Sequence, residues 1–416
     1  MLALAGAVAT TTVAAATDVD AQWPQWRGPL ANGVAPTATP PVEWAEDTNI
    51  RWKVSIPGSG HASPIVWGDN LYLLTAVESP TDSSKVQYIV MALDRADGST
   101  VWERVAREES PYEGTHNTNT RASGSAITDG RHVYASFGSQ GLYCYDMEGT
   151  PKWDVDLGDM TTRNAFGEGA SPALHGDRLV VAWDHEGASF IVALDANTGD
   201  EIWREDRSES TSWNTPIIVE HNGVAQVVVN ATNMIKSYDL ADGSLIWECG
   251  GMTTNAIPSP VHADGTVYVM SGFRGSALVA IDLDKATGDI TGTDAVIWTK
   301  DRDTPYVPSP LLTGGALYYL KGNNGILSAL DSGTGDPLYP AQRLDGIGNV
   351  YASPVAADGR VYLADRDGAT IVIAEGAEFT VLATNVLDDG VSATPALVDG
   401  EIYLRGHRYL YCIAEE

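Results

Sequence analysis

Cationic side chains are scarce in this chain. Lys and Arg total 25 against 55 Asp and Glu, a formal charge of −30 over 416 residues. A surface of that sign repels nucleic-acid phosphates and anionic lipid headgroups, which argues against both as partners. It reads as a solvating field. Cysteine is scarcer still, with Cys144, Cys249 and Cys412 alone. Cys144 in "LYCYD" and Cys412 in "LYCIA" hold the same place in two repeat units, inside apolar strands, so buried free thiols are expected. Beyond the first 21 residues there is no apolar run long enough to cross a bilayer. Signatures of chemistry are missing as well. There is no G-x-S-x-G elbow, Walker loop, G-x-G-x-x-G fingerprint, C-x-x-C or H-x-x-x-H. "DRDG" (Asp365 to Gly368) echoes a calcium loop without its remaining ligands, and reads as a turn.

The opening "MLALAGAVATTTVAAATDVDA" is small and apolar, with Val19 and Ala21 at −3 and −1 of a cleavage point. It reads as an export signal that lacks the charged n-region, for a periplasmic or secreted protein. No cysteine follows it, so no lipid anchor is expected there. What the chain does have is punctuation: 42 glycines and 21 prolines, pointing to many short strands and turns. One motif recurs as "HASPIVWGDNLYLL", "GASPALHGDRLVV", "WNTPIIVEHNGVAQVVV", "IPSPVHADGTVYVM", "VPSPLLTGGALYYL", "YASPVAADGRVYLA" and "SATPALVDGEIYLR". "RASGSAITDGRHVYAS" is read as an eighth copy with Gly124 in place of proline. The anchors at 64, 124, 172, 216, 260, 310, 354 and 395 are separated by 60, 48, 44, 44, 50, 44 and 41 residues. That is the period of propeller blades.

Each unit divides in the same way. Strand A follows the Ser-Pro or Thr-Pro, and a tight turn such as Asp264-Gly265 leads to strand B. Strand C ends in an aspartate, and a second glycine turn leads to strand D, often with a tryptophan. Asp94 to Trp102, Asp195 to Trp203 and Asp239 to Trp247 are 8 apart, as are Asp331 and Tyr339, while Asp146 to Trp153 is 7. In the fifth unit Trp298 lies 16 beyond Asp282, which implies an insertion. A large flat ring at one place per unit suits packing between sheets. The last unit runs out after strand C, and "IRWKVSIPG" near the start supplies the missing strand D with Trp52. The expectation is an all-β, eight-bladed propeller of four-stranded antiparallel blades over 49–416, closed by its two termini sharing a blade. Residues 1–21 would be the signal and 22–48 a Pro-rich arm across the ring.

"ALDANTGDEIW", "SYDLADGSLIW" and "ALDRADGSTVW" resemble the tryptophan-docking repeat of the pyrroloquinoline quinone (PQQ) β-propeller superfamily. Its eight-bladed members include quinoprotein alcohol dehydrogenases and the non-catalytic BamB-type scaffold of outer-membrane protein assembly. "QWPQWRGP" and "PYVPSPLL" look closest to exported bacterial PQQ-repeat-like proteins. For the catalytic members the resemblance implies PQQ with Ca²⁺, adjacent cysteines at the cofactor, calcium-binding carboxylates and an aspartate base. Here no two cysteines are adjacent and no matching carboxylate cluster can be assigned. The resemblance thus carries over the repeat and no catalytic or metal residue.

If strand A runs from one face to the other, the A–B and C–D turns share a far face, where His132, His175, His221 and His262 fall as solvated turn residues. The D–A and B–C loops share the near face. There lie His61, His116, Asn117 and Arg121, then Asn164, Trp213, Asn214 and Asn255, and further on Arg274, Tyr306, Lys321, Asn349 and Tyr351. His116, Asn117 and Arg121 belong to the longest interblade loop, "VAREESPYEGTHNTNTRAS". Cations, amides and aromatics on one rim suit a small polar or anionic ligand, or a protein partner. The same residues can also merely satisfy loop backbone and water. Trp213, Tyr306 and Tyr351 could stack on sugar faces. The reading is an exported, monomeric binding or scaffold propeller, for which the resemblance implies a BamB-like part in envelope protein assembly. The alternative is a PQQ- and calcium-dependent alcohol or sugar dehydrogenase.

Overall fold

Short β-rich runs broken by glycine turns form eight sheets in a computed structural model, which describes residues 18–415. Seven blades follow the chain in order, each from strand A to strand D. Blade 1 runs from Ile65–Trp67 to Thr100–Glu109, blade 2 from Ile127–Thr128 to Pro151–Val155, and blade 3 from Ala173–His175 to Glu201–Arg207. Blade 4 runs from Ile217–His221 to Leu245–Cys249, and blade 5 from Val261–Ala263 to Val296–Lys300. Blade 6 spans Leu311–Thr313 to Gln342–Arg343, and blade 7 Val355–Ala357 to Val381–Val386. Blade 8 takes Ala396–Val398, Glu401–Arg405 and Tyr409–Ala414 from the end of the chain and Ile50–Ser55 from its beginning. Ile50 pairs with Ile413 and Ser55 with Tyr409. The four-stranded antiparallel propeller and its shared blade are therefore as the repeat predicts.

The strand D indoles join neighbouring blades. Trp52, Trp102, Trp153, Trp203 and Trp298 donate Nε1–H to the carbonyls of Arg95, Met147, Ala196, Leu240 and Ser332, at 2.9–3.2 Å. Each acceptor lies just beyond strand C of the next blade. The glycine of that turn lets the ring lie flat on the backbone. At Gly149, φ is 79° and an added Cβ would meet Trp102 at 2.6 Å. Trp247 departs from the rule and donates to Gln226 Oε1 in its own blade. The insertion in blade 5 is the reason, because Gly288–Asp289 pairs in parallel with Trp247 and Glu248 as a fifth strand. The three cysteines are buried and free, as their apolar setting implies.

The A strands of neighbouring blades approach one another around the axis. Just before them the repeated Ser or Thr builds a ring. From blade 1 to blade 8 the backbone N–H donates to the hydroxyl of the next blade: Ser63 to Ser125, Ser125 to Ser171, Ser171 to Thr215 and Thr215 to Ser259, at 2.8–3.0 Å. Ser259 to Ser309, Ser309 to Ser353 and Ser353 to Thr394 continue it at 2.9–3.1 Å. The residue after each ring hydroxyl leads into strand A, the edge strand of its blade, where a missing N–H costs little, so proline is tolerated there. The ring also corrects blade 2. Ser125 is its ring residue and Ile127 begins strand A, so Ala126, rather than Gly124, stands in the proline position. The two spacings around it become 62 and 46 residues.

Residues 22–40 cross the far face, and 41–48 run along the outer edge of blade 7. Trp23 pairs with Val66 of blade 1, Val34 with Ala356 of blade 7, and Ala45 with Val386 at the outer edge of blade 7. Pro24 O accepts from Thr128 N of blade 2 at 2.9 Å. Arg27, 1% exposed, donates to Pro310 O of blade 6 at 2.5 Å and to Asn32 O. Burial without a carboxylate pushes its guanidinium down to about 9. The segment seals one end of the channel.

Candidate functional site

Above that seal the channel opens toward the near face as a cavity of about 420 Å³, within the range of small-molecule sites. Its floor is Trp26, whose Nε1–H donates to Thr394 Oγ1 at 3.2 Å. Its walls are aromatic. Phe166 leans on Trp213 with ring centres 6.4 Å apart, and Phe273 stacks on Tyr306 at 4.8 Å and 25°. Tyr351 lines a further sector, with the Arg366 guanidinium 4.6 Å behind its ring. Between floor and walls run the ring hydroxyls of Ser63, Ser125, Ser171, Thr215, Ser353 and Thr394. The lining contains no carboxylate, lysine or arginine.

Five of the rim residues expected from the sequence meet in this cavity: His61, His116, Trp213, Tyr306 and Tyr351. The others are placed elsewhere. Asn117, Asn164 and Asn349 are exposed loop residues outside it. Asn214 is buried and donates to Asn230 O, a backbone clamp. Asn255 is buried too and accepts from Arg163 Nη1 at 3.1 Å. Arg274 lies over Phe273 on the outer side, and Lys321 pairs with Asp303 at 2.7 Å. Arg121 points into a separate cleft of about 70 Å³ between blades 2 and 3, where it donates to Glu113 O at 3.0 Å. In that cleft desolvation pushes the Glu168 carboxyl up to about 7, against hydrogen bonds from Ser139.

Sequence reasoning missed Phe166, Phe273, Trp26 and the hydroxyl ring. The Ser and Thr of the motif had been visible throughout, but they marked the repeat and were not read as lining.

His61 and His407 face each other with ring centres 5.5 Å apart, near Arg366 and Arg405. Burial above all, then these neighbouring cations, pushes His61 from 6.5 down to about 3. The folded protein therefore keeps His61 neutral while the unfolded chain protonates it. Stability from this difference is full above pH 6.5 and is lost progressively as the pH falls toward 3. His61→Gln is expected to flatten that acid limb, read as urea midpoints at pH 7 and pH 4. Parallel slopes for the two proteins would show that another group carries it.

The cofactor of the related dehydrogenases does not fit this lining. PQQ is a tricarboxylate that needs cations, and its calcium needs carboxylates, whereas the cavity offers neither. Among the described residues no cluster of His, Cys, Asp or Glu is arranged to hold a metal ion. The cysteines lie within strands, none of them in the cavity.

Comparison with known proteins finds both BamB and quinoprotein dehydrogenases. The family model described as "Outer membrane protein assembly factor BamB" matches residues 42–187, 140–290 and 231–415. The outer membrane protein assembly factor BamB of Yersinia pestis is 26% identical over 220 residues. The match covers 47% of this chain and spans about half, 51%, of that relative. BamB from Moraxella catarrhalis superposes with a TM-score of 0.60 at 14% identity, over 86% of this chain and 98% of the other. The quinohemoprotein alcohol dehydrogenase from Comamonas testosteroni gives 0.66 at 11%, over 96% and 81%. At such identities these structures share the fold.

Proposed function

This chain belongs to the family of the outer membrane protein assembly factor BamB, and from that premise we propose that it is a non-catalytic binding propeller of the cell envelope. It takes its ligand or partner at the near-face mouth of the channel, and its first 21 residues serve as the export signal. The observation that carries this reading is the cavity itself. It is closed behind by Trp26, walled by aromatics and hydroxyls, and free of any carboxylate, lysine or arginine. Such a lining can bind and orient, but it offers no lysine or arginine to anchor an anionic cofactor and no carboxylate to hold its calcium. The BamB relatives support a role in outer-membrane protein assembly, and a protein partner would dock over the same mouth.

Two measurements test the reading. Incubation with PQQ and Ca²⁺ followed by dye-linked alcohol and sugar oxidation is expected to give no turnover, and specific turnover would overturn the non-catalytic assignment. A thermal-shift screen of small polar ligands is expected to give hits that Trp213→Ala removes without changing the ligand-free melting curve shape. Hits that persist in the variant would move the site away from the mouth.

A further inference from the structure

The hydroxyl ring has a property that its backbone bonds do not use up. From Ser125 round to Thr394 each ring hydroxyl accepts an N–H from the preceding blade through one lone pair, Ser63 begins the series as a donor alone, and every hydroxyl carries in addition a proton to donate. For Ser63, Ser125, Ser171, Thr215 and Ser353 no protein acceptor takes that proton among the described residues, and all five line the cavity. The bottom of the cavity is thus a circle of O–H donors, open to whatever enters. Above it stand flat apolar surfaces in pairs, Phe166 with Trp213 and Phe273 with Tyr306, with Tyr351 alongside.

The charge of the occupant follows from the lining. A carboxylate or phosphate would meet no lysine or arginine, only the imidazoles of His61 and His116, and an amine would meet no carboxylate. Both would be desolvated at a cost the site does not offset. A purely apolar group would fill the aromatic walls but would leave the circle of hydroxyl donors dry and unpaired. What fits both layers is an uncharged molecule with flat apolar faces and a periphery rich in hydrogen-bond acceptors.

We propose that the near-face cavity binds a neutral saccharide, its ring faces against Trp213 and Tyr306 and its hydroxyl and ring oxygens accepting from the Ser/Thr circle. This rests on the channel mouth being the binding site, as proposed above. Trp26 closes the floor, so a glycan cannot thread through the channel. The site takes a short oligosaccharide or the end of a longer one.

The test titrates the full-length protein with neutral mono- to tetrasaccharides of glucose, galactose, mannose and N-acetylglucosamine, following tryptophan emission from Trp26 and Trp213. Trigalacturonate serves as the anionic probe and phenol as the apolar one. At least one neutral saccharide is expected to give a saturable change. Tyr306→Ala and Tyr351→Ala should each weaken it by about tenfold, the scale of one lost aromatic contact. Lys321→Ala, outside the cavity, should leave it unchanged. Folding of every variant is checked by its melting curve, and the two tyrosine variants stand in for each other if one fails. A panel in which no neutral saccharide binds would overturn the proposal, as would saccharide binding indifferent to both tyrosine changes. If phenol or trigalacturonate binds instead and Tyr306→Ala abolishes it, the saccharide falls while the channel-mouth reading stands.

Discussion

Trp44→Ala is expected to cost about 3–5 kcal/mol of stability, although Trp44 belongs to no blade. In the propeller the docking indole stands opposite a fixed place on strand C, as Trp102 does opposite Ala92 and Trp298 opposite Ala280. Blade 7 has Ala383 at that register, opposite Val372. Its strand B still presents Tyr362, in the place where Tyr72 and Tyr268 meet Trp102 and Trp298. The N-terminal segment supplies the missing ring. Trp44, 4% exposed, stacks on Tyr362 with centres 6.4 Å apart and planes 20° apart. Its backbone N–H is held by Asn385 Oδ1 at 2.9 Å. Removing the indole leaves a cavity between the segment and the blade that neither side can refill. Equilibrium unfolding in guanidinium chloride measures the loss. A change below about 1 kcal/mol would show that the segment merely rests on the blade.

The second large effect lies in blade 3. Arg207 and Asp184 form a two-point ion pair at 2.7 and 3.0 Å with side chains 0% and 1% exposed. Burial works against the Arg207 charge, and Asp184 outweighs it and holds the guanidinium well above its ordinary range. Tyr238 Oη accepts from Arg207 at 2.9 Å, and Ser212 Oγ donates to Asp184 at 2.7 Å, so the pair is fully bonded. Asp184→Ala strands a buried cation and is expected to cost about 3–5 kcal/mol. The double change Asp184→Leu, Arg207→Met removes both charges and is expected to recover most of that loss. A double variant as unstable as the single one would mean that the pair carries more than compensation of its own burial.

The fold was legible because propeller blades are built from local signals. Turn chemistry, the strand C aspartate and the spaced tryptophan all act within one unit, and repetition multiplies them. Legibility failed where local identity was ambiguous. "ASGSA" offers two serines, and only the ring bond shows that Ser125 is the blade 2 member. The cavity was harder to read. Polar type draws attention to Asn214, Asn255 and Lys321, which the fold spends on a backbone clamp, a bond to Arg163 and a surface ion pair. Phe166 and Phe273 lie in loops without a repeated position, and nothing local distinguishes them from core aromatics. Trp26 reaches the channel only because the segment before the first strand folds back over the far face.

The shared blade has a consequence for the order of events in making this protein. Among the described blade strands Ile50–Ser55 is the first in chain order, and its partner Tyr409–Ala414 is the last. Until Tyr409–Ala414 has been made, the earlier strand has no edge to pair with and the nascent arc keeps an open edge at each end. Ring closure must span almost the whole chain, the longest loop available to it. The species most exposed to aggregation is thus an arc of seven blades waiting for its closing hairpin, and changes that weaken Tyr409–Ala414 would prolong that wait out of proportion to their number.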